Sequence, residues 1–179
     1  RRRGVSGLAA LVLAAAAAVP SSAPGASLEI AVKATYLYKL GPFVEWPRDA
    51  FASPESAVDL CVAGDDPFGD ILDRAVAGQT IGNRPIAVQR IARVDGDASC
   101  HILFLAGSAT QSVAEGVEVT RGTPVLTVTD GRDTDKGIVN FVIVDGRVRF
   151  EIDDQAAARQ GLAISSKLLS LATFVRRRG

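Results

Sequence analysis

Residues 137–153, GIVNFVIVDGRVRFEID, constrain the fold more than any other stretch of the chain. Two β-rich runs, 138–144 and 147–152, flank Asp145-Gly146. Asp-Gly suits a two-residue type I′ turn, because both central positions need φ > 0. The second arm alternates: Val148, Phe150 and Ile152 point one way, Arg147, Arg149 and Glu151 the other. That pattern predicts one buried face and one wet face. The first arm does not alternate cleanly. Ile138, Asn140, Val142 and Val144 share one side, Val139, Phe141 and Ile143 the other. An arm apolar on both sides is either covered twice or offers an apolar surface to something else.

The rest of the chain decides where such a hairpin works. Its 179 residues suit one domain with a real core. Arg1, Arg2 and Arg3 precede an apolar run over 8–19 and a small-residue segment, Pro20-Ser21-Ser22-Ala23-Pro24-Gly25-Ala26. This order predicts a secretory signal peptide over residues 1–26, cut after Ala23 or Ala26. The run is too short for an ordinary transmembrane helix, and an N-terminal membrane anchor is the alternative. Residues 27–179 then form the exported domain. The whole chain carries 20 basic and 20 acidic residues. Removing 1–26 takes away three Arg and no acid, leaving 17 against 20, a net charge of −3. That argues against nucleic acid as a partner. Arg176, Arg177 and Arg178 read as a solvated tail. In an oxidising compartment Cys61 and Cys100 read as a disulfide, with two buried thiols as the alternative.

Along the chain, residues 28–40 read as a helix with Ile30, Ala34 and Leu37 on one stripe, stopped at Gly41-Pro42. Trp46, the only Trp, is expected against the core. Strands are expected at 58–63, 86–91, 100–106 and 125–129, each apolar almost throughout. Asp65 or Asp66 should cap a helix running to about Ala77. Helices are also expected over 110–115, from Asp153 or Asp154 to Gln160, and over 165–175, with Leu168, Leu171 and Val175 on one stripe. Short apolar strands alternating with helices predict a single α/β domain. Its sheet is mostly parallel or mixed, flanked by helices, with the antiparallel hairpin added late.

Catalytic patterns fail one by one. Gly64 and Gly69 have the spacing of a phosphate loop, but Asp70-Ile71 stands where Lys and Ser/Thr are needed. Gly107-Ser108-Ala109 is no nucleophile elbow, and Ser165-Ser166-Lys167 lacks the S-x-x-K spacing. Asp130, Asp133 and Asp135 lack the distal Glu of a calcium loop. His101, the only histidine, reads as a packed strand residue. The expectation is a protein that is not an enzyme and uses no metal and no cofactor.

Several segments, taken in order, resemble the YfiR family: Lys33-Ala34 with Tyr36-Leu37, Phe43-Val44-Glu45-Trp46-Pro47, Gly64-Asp65-Asp66-Pro67-Phe68-Gly69 and Cys100-His101-Ile102-Leu103-Phe104. The hairpin and Ile164-Ser165-Ser166-Lys167-Leu168-Leu169 continue the series. The resemblance implies a periplasmic protein of Gram-negative bacteria. It implies repression of an inner-membrane diguanylate cyclase through that enzyme's periplasmic part, and lowered cyclic-di-GMP signalling. Family members tend to be dimers with redox-sensitive disulfides, so a homodimer is the expectation, and Cys61 with Cys100 fits a family disulfide.

A repressor of this kind needs an apolar surface with a polar rim. The candidates are Phe141 and Ile143, rimmed by Arg149 and Glu151, together with part of the last helix; core or dimer interface is the competing reading. The second functional class is a periplasmic small-ligand binder, using Asp65 and Asp66 in the 64–69 turn and Asp130 at a strand end.

Overall fold

The computed structural model describes residues 24–131 and 135–179. The signal-peptide expectation for residues 1–23, and Asp133 of the polar loop, lie outside the described residues. The first helix, α1 (Pro24–Leu40), opens the fold and ends where Gly41-Pro42 begins a short 3-10 turn. A two-residue strand, β1 (Val44–Glu45), comes next. Then follow β2 (Val58–Gly64), α2 (Asp70–Val76), β3 (Thr80–Ile81), β4 (Arg84–Ile91), β5 (Ile102–Gly107), α3 (Val113–Val119) and β6 (Leu126–Asp130). The hairpin is β7 (Val139–Val144) and β8 (Arg147–Asp153). The chain closes with α4 (Asp154–Arg159), β9 (Ala163–Ile164), α5 (Ser166–Leu169) and β10 (Phe174–Arg176).

Among the described residues the main sheet has the order β10-β8-β7-β6-β5-β2-β4-β3. Strands β4, β2, β5, β6 and β7 run parallel, and β10 is parallel to β8. Antiparallel pairs occur at β7–β8 and β3–β4. A small second sheet pairs β1 with β9. The α/β expectation is met: helices α1 and α2 lie over one face, α3 over part of the other.

The strand patterns explain this layering. On the α1 face, Leu60, Val62, Ile102, Phe104, Leu126, Val128, Val139, Phe141, Phe150 and Ile152 are all buried and form one core with Leu37 and Leu40. On the opposite face the residue types change along the sheet. Strands β2 and β5 present Cys61, Ala63, Leu103 and Leu105, which pack under Val113 and Val117 of α3. Past β5 the same face becomes polar, with Thr127, Thr129, Asn140 and Glu151. Helix α3 therefore covers the apolar half, and the polar half is left open.

At the centre of the parallel strands, β2 sends the chain one way to β4, while β5 lies on its other side. Such a switch point usually opens a crevice at the strand ends. Here Gly64 and Gly107 close it. The amide of Asp65 donates to the Gly107 carbonyl at 2.9 Å, and a Cβ on Gly64 would meet that oxygen at 2.4 Å. Gly64 has φ 93°, so glycine is required for conformation as well as space.

Four local expectations need correction. The last helix does not run over 165–175. Ser165 caps it, its side chain accepting from the Leu168 amide, but α5 ends at Leu169, and Phe174–Arg176 form β10 against Glu151, Ile152 and Asp153. The exposed edge of β8 offers unpaired backbone groups, and β-branched and aromatic residues at 173–175 satisfy them better as a strand. Leu171 is consequently exposed instead of sharing a buried stripe with Leu168. Helix α3 begins at Val113, not 110, because Ser112 and Glu115 form a reciprocal capping box. Neither Asp65 nor Asp66 caps α2. Gly69 holds that position, and Asp66 accepts instead from the Phe68 amide at 2.7 Å. The C-terminal arginines are not a free tail. Arg178 makes a two-point ion pair with Asp154, both contacts 2.9 Å, and Arg176 lies 3.5 Å from Asp153.

Candidate functional site

Geometry around the hairpin separates the four partner-binding candidates. The turn forms as expected, with Asp145 at φ 50° and Gly146 at φ 70°. Register pairs Phe141 with Phe150 and Ile143 with Val148, all on the α1 face. Phe141 is fully buried, its ring 6.2 Å from that of Tyr36, which also meets Phe150 edge-on at 5.9 Å. Burying a side chain of this size contributes roughly 1.5–3 kcal/mol. Phe141 is therefore core and offers no surface. Ile143, two residues further out, passes the end of α1 cover and is 43% exposed, with Val144 beside it at 41%. Arg149 and Glu151 do not rim these residues. They share the opposite face with Val142 and Asn140, because strand side chains alternate.

On that opposite face lies a groove of about 700 Å³. Its floor follows the strand register: Asn140 pairs with Glu151 and Glu151 with Phe174, while Thr129, paired with Asn140, continues the row into the neighbouring cleft. One row thus crosses β6, β7, β8 and β10. The neighbouring row holds Thr127 and the Asp153–Arg176 pair. Buried hydroxyls and amides stiffen the floor. Thr129 donates to the Asn140 side chain at 2.9 Å and accepts from the Gly137 amide at 3.0 Å. Asn140 in turn donates to the Gly131 carbonyl at 2.9 Å. Arg121 stands at the α3 wall, Arg159 and Gln160 at the α4 wall, and Lys136 pairs with Glu151 at 2.7 Å. Gln160 is buried, yet its Oε1 has no hydrogen-bond partner among the described residues. Sequence reasoning missed Gln160 and Phe174. The signal within reach was the polar alternation Thr127, Thr129, Asn140 and Glu151 on strands whose other face is apolar.

The three ligand-binding candidates also separate. Asp65 and Asp130 reach one cleft of about 380 Å³ beside the ends of β5 and β6, with Asp135 and Ser112. Asp66 is turned away, where Arg90 of β4 donates to it at 2.7 Å and also grips Asp73 at 2.6 Å. Asp130 is neutralised by Lys33 at 2.6 Å. Lys33 is almost fully buried on α1 and also pairs with Glu29. Burial alone would lower the Lys33 pKa, but hydrogen bonds to Asp130 and Glu29 outweigh it and raise it. Among the described residues no group of three His, Cys, Asp or Glu side chains is placed to hold a metal ion.

His101 packs as expected, stacked on Phe51 at 4.2 Å. Its Nδ1 accepts from the Asp59 amide at 3.0 Å. The proton therefore sits on Nε2, which donates to the Ala50 carbonyl at 2.9 Å. Next to it, Cys100 is joined to Cys61 by a disulfide, with Cα atoms 5.8 Å apart. The bridge ties β2 to the start of β5 beneath α3. Among the described residues no helix is long and apolar enough to cross a membrane.

No curated protein matches the chain. A family model described as YfiR/HmsC-like matches residues 30–173, from the second turn of α1 to the residue before β10. That span takes in the disulfide, the hairpin and all but the last strand of the fold. The chain belongs to the YfiR/HmsC-like family.

Proposed function

We propose that this chain is an exported periplasmic regulator that binds the periplasmic part of an inner-membrane diguanylate cyclase and represses it. Cyclic-di-GMP signalling falls as a result. The observation that carries the reading is the family match over residues 30–173. A disulfide between the only two cysteines agrees with an oxidising compartment.

The partner surface we assign is the outer half of the hairpin. Ile143 and Val144 supply exposed apolar area, while Arg149 and Glu151 lie on the opposite face and stay outside this surface. Phe141 holds the strand from beneath. Ile143→Asp places a charge where the partner would bury a methyl group, and no core contact is lost. Bound cyclase should dissociate at least tenfold more readily, with thermal melting unchanged. A folded Ile143→Asp protein that represses fully would remove the hairpin from the partner surface.

The strand-end cleft supports a second reading, a periplasmic small-ligand binder. Asp65 and Asp135 line it beside Asp130, whose charge Lys33 already meets, so a small cationic amine is the ligand class that its charge suits. A rise in melting temperature with millimolar amine, lost in Asp65→Asn, would support it; no shift would reject it.

A further inference from the structure

The groove on the open face of the sheet points to a second binding site, and we propose that it takes an extended acidic peptide segment of a partner protein. The proposal rests on the partner-binding reading but not on the hairpin surface. Three observations carry it. First, Gln160 lines the groove with only 8% of its surface accessible, and its buried Oε1 has no donor among the described residues. A buried acceptor left unpaired is costly, and a donor from an occupant relieves that cost. Second, the charges are unbalanced. Arg121, Lys136, Arg159 and Arg176 line the groove against Glu151 and Asp153. Among the described residues Arg159 has no carboxylate within ion-pair distance. Third, the groove is elongated. The row Thr127, Ile138, Asp153, Arg176 crosses three strand spacings, about 14 Å at ~4.8 Å each. An extended chain covers that length in roughly four residues at about 3.3 Å apiece.

A peptide answers all three features together. Its backbone N–H groups can donate to Gln160 Oε1, its carboxylates can meet Arg159 and Arg176, and an apolar side chain can lie on the exposed Phe174 ring. Phe174 and Arg176 lie beyond the stretch that the family model matches.

The test uses protein purified from the periplasm and an array of N-acetylated hexapeptides with two to four Asp or Glu, read beside counterparts carrying Lys. Acidic members should bind, and raising salt should weaken them. Arg159→Glu should cost at least tenfold in affinity, and Gln160→Leu several-fold, with circular dichroism and melting temperature unchanged. If acidic peptides bind no better than Lys peptides, or Arg159→Glu binds as well as wild type, the proposal is wrong. Competition by free glutamate or succinate at the same concentration as the peptide would also overturn it, in favour of a small-anion site. A cyclase captured equally by wild type and Arg159→Glu, but not by Ile143→Asp, would defeat the groove and leave the partner reading standing. Failure of wild type to capture any cyclase would defeat the partner reading instead.

Discussion

Lys33 shows at the residue scale how a buried charge is kept in this protein. It is an amphipathic side chain on the inner stripe of α1, and the end of β6 brings Asp130 to it. Both carboxylate partners are part-exposed, at 40% for Glu29 and 32% for Asp130, which weakens the pair below the full value of a buried one. Lys33→Met should therefore destabilise the fold by about 1–2 kcal/mol, measured by urea unfolding. The pKa of Lys33 is raised in the folded state. A raised lysine contributes stability that is fully present below its unfolded value of about 10.4 and is lost as pH rises through the folded value. The difference between wild type and Lys33→Met should be constant from pH 6 to about 9 and shrink only in strong alkali. A difference that instead vanishes near pH 7 would contradict the ion-pair assignment. In the sequence Lys33 was legible only as part of a motif. Nothing local tells that Asp130, 97 residues away, will meet it. The same holds for Phe141 and Ile143: alternation placed them on one side, but only the reach of α1 buries the first and frees the second.

At the scale of elements, strong local chemistry was readable and edge pairing was not. The Asp145-Gly146 turn, the stop at Gly41-Pro42 and the all-apolar runs of β2 and β5 each follow from a few residues. Strand β10 does not, because residues 165–175 carry a helical period and lose it to the open edge of β8. The two-residue strands β1 and β9 are equally silent, being defined by each other. Holding β10 falls partly to the Arg178–Asp154 clamp, in which the carboxylate raises the arginine's pKa. Arg178→Ala should speed hydrogen exchange at Val175 and Arg176 while leaving β7 protected. The cost in global stability should stay under about 1 kcal/mol, since the arginine is part-exposed. Equal protection in wild type and variant would show that β10 is held by backbone pairing alone. The Cys61–Cys100 bridge is the stronger restraint. It closes a separation of 39 residues, worth roughly 4 kcal/mol on the chain-entropy view. Cys61→Ala with Cys100→Ala should lower the melting temperature clearly, as should a wild-type scan with reductant present; an unchanged transition would mean that β2–β5 packing alone fixes the register.

For the whole molecule, the layering links fold to function. One face of the sheet is a continuous core, and the other changes from apolar to polar between β5 and β6. Helix α3 is short enough to seal only the apolar half. This leaves a polar groove beside the hairpin, two surfaces that a regulator can present at once. The α/β class and the late hairpin followed from element order. The groove did not, because it exists only once β6, β7, β8 and β10 are placed side by side. The proposed export and repression make a direct demand on the cell. Deleting the gene from its host should raise cyclic-di-GMP several-fold, measured by mass spectrometry of nucleotide extracts. Restoring the full chain should bring it back to the starting level, and restoring residues 27–179 without the export segment should not. An unchanged cyclic-di-GMP level on deletion, or full restoration by the unexported form, would contradict periplasmic repression of a diguanylate cyclase.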